Sequence, residues 1–325
     1  MKRWILEQLQ RYLLRSPERR KKLWKRLRSE FESPVNLKQK LGERYPQLAF
    51  SEPGHFYSPL PDIEEAVAYR SGVLARQGPS IQGVDLNTDS QVELTRHLNP
   101  WIESFDWPET KTGDRRYYWN NQQYQRADGA PLYAMMQHFK PKRIIEIGSG
   151  YSSALMLDTN DRAAADFAKL TFIEPYADRL KGLLQGSPGE SYALLEQRVQ
   201  EVDLTVFDQL EDGDFLFVDS SHVAKAGSDL VHILFEVLPR LKAGVFVHFH
   251  DIFWPFEYPE AWLKQGRAWN EVYLLRAFLM SNDEWPIQLF GPCLAATRKA
   301  DLTDAWKALG GGGYLWVRRA AAKAP

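Results

Sequence analysis

The sequence predicts an α/β fold: a Rossmann-like, doubly wound, mostly parallel sheet with an antiparallel last strand, behind an N-terminal helical and irregular extension. Three observations carry this. From residue 131 onward, apolar runs of strand length alternate with segments of helical length, as in strands joined by crossover helices. The first such run ends in the glycine turn Gly148-Ser149-Gly150. The last apolar runs are short and closely spaced, which suits antiparallel pairing at one edge.

In chain order, residues 1–32 read as a basic amphipathic helical arm. Trp4, Ile5, Leu9, Tyr12 and Leu13 recur at helical spacing, and Ser16-Pro17 reads as an N-cap with a first-turn proline. Residues 1–30 hold 11 Lys/Arg against 3 Glu, a balance of +8, so residues 31–325 carry −9 within the overall −1. Through residues 1–31 such an arm suits an anionic membrane surface or an acidic partner, or else a solvated helix on its own domain. Nucleic acid is not expected, since the rest of the chain is acidic.

Residues 33–130 read as a substrate or lid region. The stretch 33–80 is rich in Pro, Gly and Ser around residues 54–62 and is not expected to be helical. Its aromatics and histidine suit a loop over a pocket or an ordered loop with buried rings. Residues 90–105 read as helix, and 113–130 as an aromatic-polar stretch. Residues 131–325 form the cofactor-binding domain. Helices are predicted at 132–139, 152–160, 178–184 and 228–238, and strands at 143–147, 169–173, 197–202, 214–218 and 244–249. Residues 286–290, 294–297 and 314–317 are strand-like.

The totals bound the class. Hydrophobic content of 44% and charged content of 26% are those of a soluble globular protein. The single cysteine excludes an internal disulfide and fits a reducing, cytoplasmic setting. No apolar run reaches the roughly 18–20 residues of a membrane span, and polar residues interrupt the N-terminus too early for a secretory signal.

The chemistry gathers at the carboxyl ends of the predicted strands, where doubly wound sheets bind ligands. Glu146 precedes Gly148, Ser149, Gly150 and Tyr151. A carboxylate there crowds a pyrophosphate but suits a ligand with an amino group and no phosphate, such as S-adenosylmethionine (SAM). Glu174 follows Gly148 by 26 residues, the spacing of an acid that accepts the hydroxyls of a ribose. Near Gln200–Asp203 an adenine amino group would find an acceptor, with Asp203 the candidate. The fourth and fifth strands end in Asp219-Ser220-Ser221-His222 and His250-Asp251. Asp219 and Asp251 suit a hard divalent cation, Mg2+, with His222 or His250 assisting or acting as general base. In a metal-free alternative, one histidine deprotonates a substrate hydroxyl while Asp219 orients it. Beyond residue 251 lies a segment rich in Trp, Phe, Tyr and Pro, suited to walling an apolar or sugar-like acceptor or to packing a lid.

Residues 140–320 resemble the class I SAM-dependent methyltransferases, through the motifs at 143–153, 172–174, 214–222 and 245–251. Val218–His222, Gly227-Ser228-Asp229, His250–Phe253 and the segments 54–62 and 117–121 resemble a bacterial subgroup acting on small molecules. The resemblance implies SAM across the sheet edge, its amino group near Glu146 and the Gly148–Gly150 backbone, and its ribose on Glu174. Related metal-dependent O-methyltransferases hold magnesium with an aspartate after the fourth strand and an acidic pair after the fifth. Asp219 and Asp251 match; His250 departs from the pair, because imidazole suits magnesium poorly. The expected activity is O-methylation of a sugar or secondary metabolite. An NAD-dependent oxidoreductase is disfavoured by Ser153, where the dinucleotide fingerprint has a third glycine. A non-catalytic protein at a membrane surface is the remaining alternative.

Overall fold

The computed structural model describes residues 50–51, 53–113, 115–162, 168–184 and 192–321. The basic arm of residues 1–32 lies outside them. The chain divides into two compact units, Met1–Ala68 and Tyr69–Pro325.

Within the first unit, Gly54 takes a left-handed backbone (φ 85°) and donates its amide to Leu60 O at 2.9 Å, closing the turn expected over residues 54–62. Its rings are not buried: Phe56 is 81% and Tyr57 66% exposed. Helix α1 (Ile63–Arg76) begins in this unit and runs past its boundary at Ala68, occupying part of the stretch expected to be irregular. Asp62 Oδ1 accepts from Glu65 N at 2.9 Å, and Glu64 and Glu65 fill the first turn. A cap directly after Pro61 starts a helix that the surrounding composition concealed.

The second unit is built on a seven-stranded sheet in the order β3-β2-β1-β4-β5-β7-β6. The strands are β1 (Arg143–Ile147), β2 (Lys169–Ile173), β3 (Tyr192–Leu195), β4 (Phe215–Val218), β5 (Phe246–His250), β6 (Ile287–Phe290) and β7 (Tyr314–Arg318). β1 to β5 pair in parallel, while β7 runs antiparallel to both β5 and β6. β4 is Phe-Leu-Phe-Val and wholly buried, as a strand covered on both faces must be. Among the described residues of this unit the α-helices beyond α1 are α2 (Thr88–Glu103), α3 (Arg126–Phe139), α4 (Tyr151–Arg162), α5 (Asp178–Leu183), α6 (Asp229–His232, continued by a π-helical turn over Ile233–Val237), α7 (Glu260–Lys264), α8 (Glu271–Leu279), α9 (Gly291–Thr297) and α10 (Asp304–Leu309).

One core cluster joins Val92, Leu98 and Ile102 of α2 and Trp107, Tyr117 and Tyr124 beyond it to Phe215, Phe217 and Trp316 of the sheet. Residues between Val92 and Tyr124 therefore contribute to the same core as the sheet.

Three elements differ from expectation. The third strand is Tyr192–Leu195, and Val199–Glu201, placed in a strand by the sequence, is a short 3-10 turn. Residues 294–297 belong to α9 rather than to a strand, since Pro292 sits at its first turn and cannot continue a ladder. α3 starts six residues early and carries Pro131 inside it.

Candidate functional site

The tips of β1, β2 and β4 converge on Gly148. Gly148 N donates to Ile173 O at 3.0 Å, and Asp219 N donates to Ile147 O at 2.9 Å. Gly148 has φ 78°, and a Cβ there would lie 1.8 Å from Asp219 O. No other residue fits. At Gly150 an added Cβ would meet only Arg179 Cδ, at 3.9 Å. The protein's own packing therefore demands glycine at 148 but not at 150.

Beside this turn opens a pocket of about 460 Å³, walled by Gly148, Glu174, Tyr176, Gln200, Asp219 and Asp229 among others. Glu174 is held at its edge by two amides, Ser149 N at 3.0 Å and Tyr176 N at 2.8 Å. Gln200 Nε2 donates to Gly227 O at 2.9 Å, which leaves Gln200 Oε1 buried without a partner. Ser149 Oγ and Ser220 Oγ are also buried and unpartnered. Buried polar atoms are nearly always satisfied, so this grouping marks a place prepared for another molecule.

Glu146 lies beneath the turn rather than in the pocket wall. It is fully buried, and its two oxygens accept from the hydroxyls of Ser152 and Ser153. Burial pushes its carboxyl up to about 8, with the serine hydroxyls pulling the other way. Ser153 Oγ also accepts from Gly150 N at 2.9 Å, so this residue ties the turn to Glu146. Tyr151 begins α4 with its hydroxyl 2.8 Å from that of Tyr118; burial raises it to about 12. Asp203, expected beside adenine, stands outside the pocket wall. It is exposed, and it caps a 3-10 turn by accepting from Thr205 N at 2.9 Å and Thr205 Oγ1 at 2.7 Å.

The ends of β4 and β5 bring Asp219, His222, His250 and Asp251 together. His222 Nε2 lies 3.4 Å from Asp219 Oδ1 and 3.6 Å from Asp251 Oδ2, and His250 Nε2 lies 3.6 Å from Asp251 Oδ1. His222 and Asp251 both take left-handed backbone, φ 59° and 58°. Such strain in non-glycine residues clusters at functional sites. Burial works against a charged His222, yet hydrogen bonds and charge from Asp219 and Glu271 hold its pKa well above the usual value. Burial likewise opposes charge on His250, but Asp251, Asp219 and Asp128 raise it. Burial pushes Asp251 up to about 6, partly offset by His250 and His222. Burial would raise Asp219 too, but the two histidines hold it below its ordinary value.

Ligand atoms of Asp219, His222 and Asp251 lie within 4.8 Å of one another, the arrangement of a candidate cation site. Their donor set of two carboxylates and one imidazole suits a borderline divalent ion better than magnesium. His250, with Nδ1 buried and unpartnered, stands outside that group.

Sequence reasoning missed Glu271. Its Oε2 meets His222 Nδ1 at 2.7 Å across 49 positions of chain, and no local pattern links them. The one signal was an acid in the first turn of a helix just after Trp269. The aromatic segment divides: Phe256 and Tyr258 are core, whereas Trp269 is half-buried and packs 4.3 Å from the His222 ring.

Residues 145–252 match the family model described as a methyltransferase domain. An uncharacterised protein of Archaeoglobus fulgidus is 36% identical over 165 residues, covering 49% of this chain and 73% of that protein. Among solved structures, the SAH-bound Podospora anserina methyltransferase PaMTH1 is 19% identical, with 81% and 98% of the two chains covered and a TM-score of 0.43. The Streptomyces achromogenes O-methyltransferase TomG, involved in tomaymycin synthesis, is 16% identical, with 79% and 96% covered and a TM-score of 0.40. The segment matched by this methyltransferase-domain model holds the turn at Gly148 together with Glu174, Asp219 and Asp251.

Proposed function

We propose that the protein methylates a hydroxyl group of a small-molecule acceptor, a sugar or secondary metabolite, with Asp219 as the hinge between cofactor and acceptor. One observation carries this reading: Asp219 walls the pocket beside Gly148 and also lies 3.4 Å from His222 Nε2. Methyl donor and proton acceptor are thereby brought within a few ångströms, and proximity is the main requirement of methyl transfer.

The bound cofactor supplies an electrophilic methyl group on a positively charged sulfonium. Glu174, fixed by two amides, accepts from the ribose hydroxyls. Gln200 Oε1, otherwise unpartnered, accepts from the adenine amino group. The Gly148–Gly150 backbone and Ser149 face the methionine end, with Tyr151 behind them. Glu146 fixes the turn through Ser152 and Ser153 rather than touching the ligand. His222 Nε2 takes the acceptor's hydroxyl proton as the oxygen attacks, while Asp219 and Asp251 orient the acceptor and His250 supports Asp251. His222 acts as base only once it has shed the proton that Asp219 and Glu271 favour, so turnover through it should rise with pH.

A second reading has its own support: Asp219, Asp251 and His222 hold a divalent cation that polarises the acceptor hydroxyl. Calorimetric titration with MgCl2 and MnCl2, on wild type and Asp219→Asn, separates the two. Binding lost in the variant supports the cation; no heat from either salt removes it.

The reaction is tested with SAM and a panel of free hexoses, nucleotide-linked hexoses, catechols and flavonoids, scoring SAH release. Turnover on a panel member, reduced about a hundredfold or more in His222→Ala with SAM affinity unchanged, supports the assignment. Full turnover in His222→Ala contradicts the base. Among the described residues no helix is long and apolar enough to cross a membrane. The +8 charge of residues 1–30 supports peripheral contact with an anionic surface or an acidic partner, and the lone cysteine supports a cytoplasmic setting.

A further inference from the structure

The start of α8 grips the loop after β4 through five hydrogen bonds. Asn270 N and Glu271 N both donate to His222 O, at 3.0 and 3.2 Å. Asn270 Oδ1 accepts from Ala224 N at 2.6 Å, and Asn270 Nδ2 donates to Ala224 O at 3.2 Å. The fifth joins His222 Nδ1 to Glu271 Oε2 at 2.7 Å. Trp269 closes the ring's flank at 4.3 Å.

Packing alone does not explain Glu271. It is 1% exposed, and its second oxygen, Oε1, has no partner. A buried ion pair is often no more stable than apolar residues of the same volume, so its presence argues for what it does to its partner. Here the partner stands on a left-handed backbone, a conformation that only its surroundings can hold. The Glu271 carboxylate on Nδ1 also fixes which way the ring faces, turning Nε2 toward Asp219 and Asp251.

We propose that Glu271 is the positioning residue for His222, holding Nδ1–H so that Nε2 faces the acceptor. This rests on the reading of His222 as base. Asn270 and Trp269 complete the grip: the first fixes the loop's backbone, the second the plane of the ring.

The test uses the full chain labelled with 15N-histidine, the His222 signals being assigned by their loss in His222→Asn. Wild type is expected to show a strongly deshielded Hδ1 proton, the mark of a charge-assisted hydrogen bond. That signal should move upfield in Glu271→Gln and vanish in Glu271→Leu. On the panel acceptor that wild type turns over fastest, Glu271→Leu should lose about 10- to 100-fold in kcat with KM for SAM within twofold. Glu271→Gln, which keeps an acceptor oxygen, should recover part of that loss. An unchanged Hδ1 signal in Glu271→Leu overturns the proposal. So does full turnover in Glu271→Leu where His222→Ala is inactive. Full turnover in both variants removes the base reading itself. Equal loss in the Gln and Leu variants, matched by equal loss of thermal stability, makes Glu271 merely structural.

Discussion

The two ends of the parallel sheet both carry buried acids, but they use them in opposite ways. Where the strands begin, Asp214 is 1% exposed and fully occupied. Its Oδ1 accepts from Lys142 N and Arg143 N, both at 2.9 Å, and its Oδ2 from Glu211 N and Arg143 Nη1, both at 3.0 Å. Where the strands end, Ser149, Ser220, Gln200, His250 and Glu271 each leave a buried polar atom unpartnered, and two non-glycine residues take left-handed backbone. Unpartnered atoms also occur in the core, at His248 and Trp316; their gathering around one pocket, together with left-handed backbone, is what separates the strand ends from Asp214.

Breaking the first end should show the largest effect on stability. Asp214→Ala leaves three amides and a guanidinium without their acceptor and should cost about 3–5 kcal/mol. Urea unfolding measures it, and a loss of less than about 1 kcal/mol would erase the contrast between the ends. At the other end, Gly148→Ala forces a Cβ towards Asp219 O on a left-handed backbone. Strain and overpacking together should cost about 2–4 kcal/mol and weaken SAM binding at least tenfold.

Glu146 sharpens the comparison through pH. Burial pushes its folded pKa up to about 8, well above that of an ordinary carboxyl, so the native state keeps a proton that the unfolded chain releases. The stabilisation is complete below about pH 4.5 and is lost as pH rises through 8. The stability difference between wild type and Glu146→Gln should therefore shrink by roughly a few kcal/mol between pH 5 and pH 8. Parallel stability–pH curves for the two proteins would show that Glu146 does not titrate in this way. The smallest effect is expected at Asp203, an exposed cap: Asp203→Ala should barely shift urea unfolding and leave SAM affinity unchanged. A marked loss of affinity would return it to the site.

How much was legible from sequence follows the same division. β1 and β2 match their expected bounds residue for residue, because continuous apolar runs ending in polar or glycine residues leave little choice of register. The strand tips, with Gly148, Glu174, Asp219, His222, His250 and Asp251, were legible for the same reason: they follow directly from where strands stop. Short runs were less secure. Residues 294–297 are equally apolar as strand or helix, and α9 took them through Pro292. The expectation for Asp203 rests on a third-strand end that lies at Leu195 instead, and the residue caps a 3-10 turn. Glu271 was invisible for a different reason, since its contact depends on α8 folding back over the β4 loop.

The central claim is that the pocket at Gly148, Glu174 and Asp219 binds SAM. Calorimetric titration of the full chain with SAM and with NAD tests it most directly. The account predicts one SAM per chain, no NAD binding, and at least about a tenfold weaker SAM affinity in Glu174→Ala, from the loss of charge-assisted hydrogen bonds to the ribose. NAD binding without SAM binding, or a Glu174→Ala variant with unaltered SAM affinity, would contradict it.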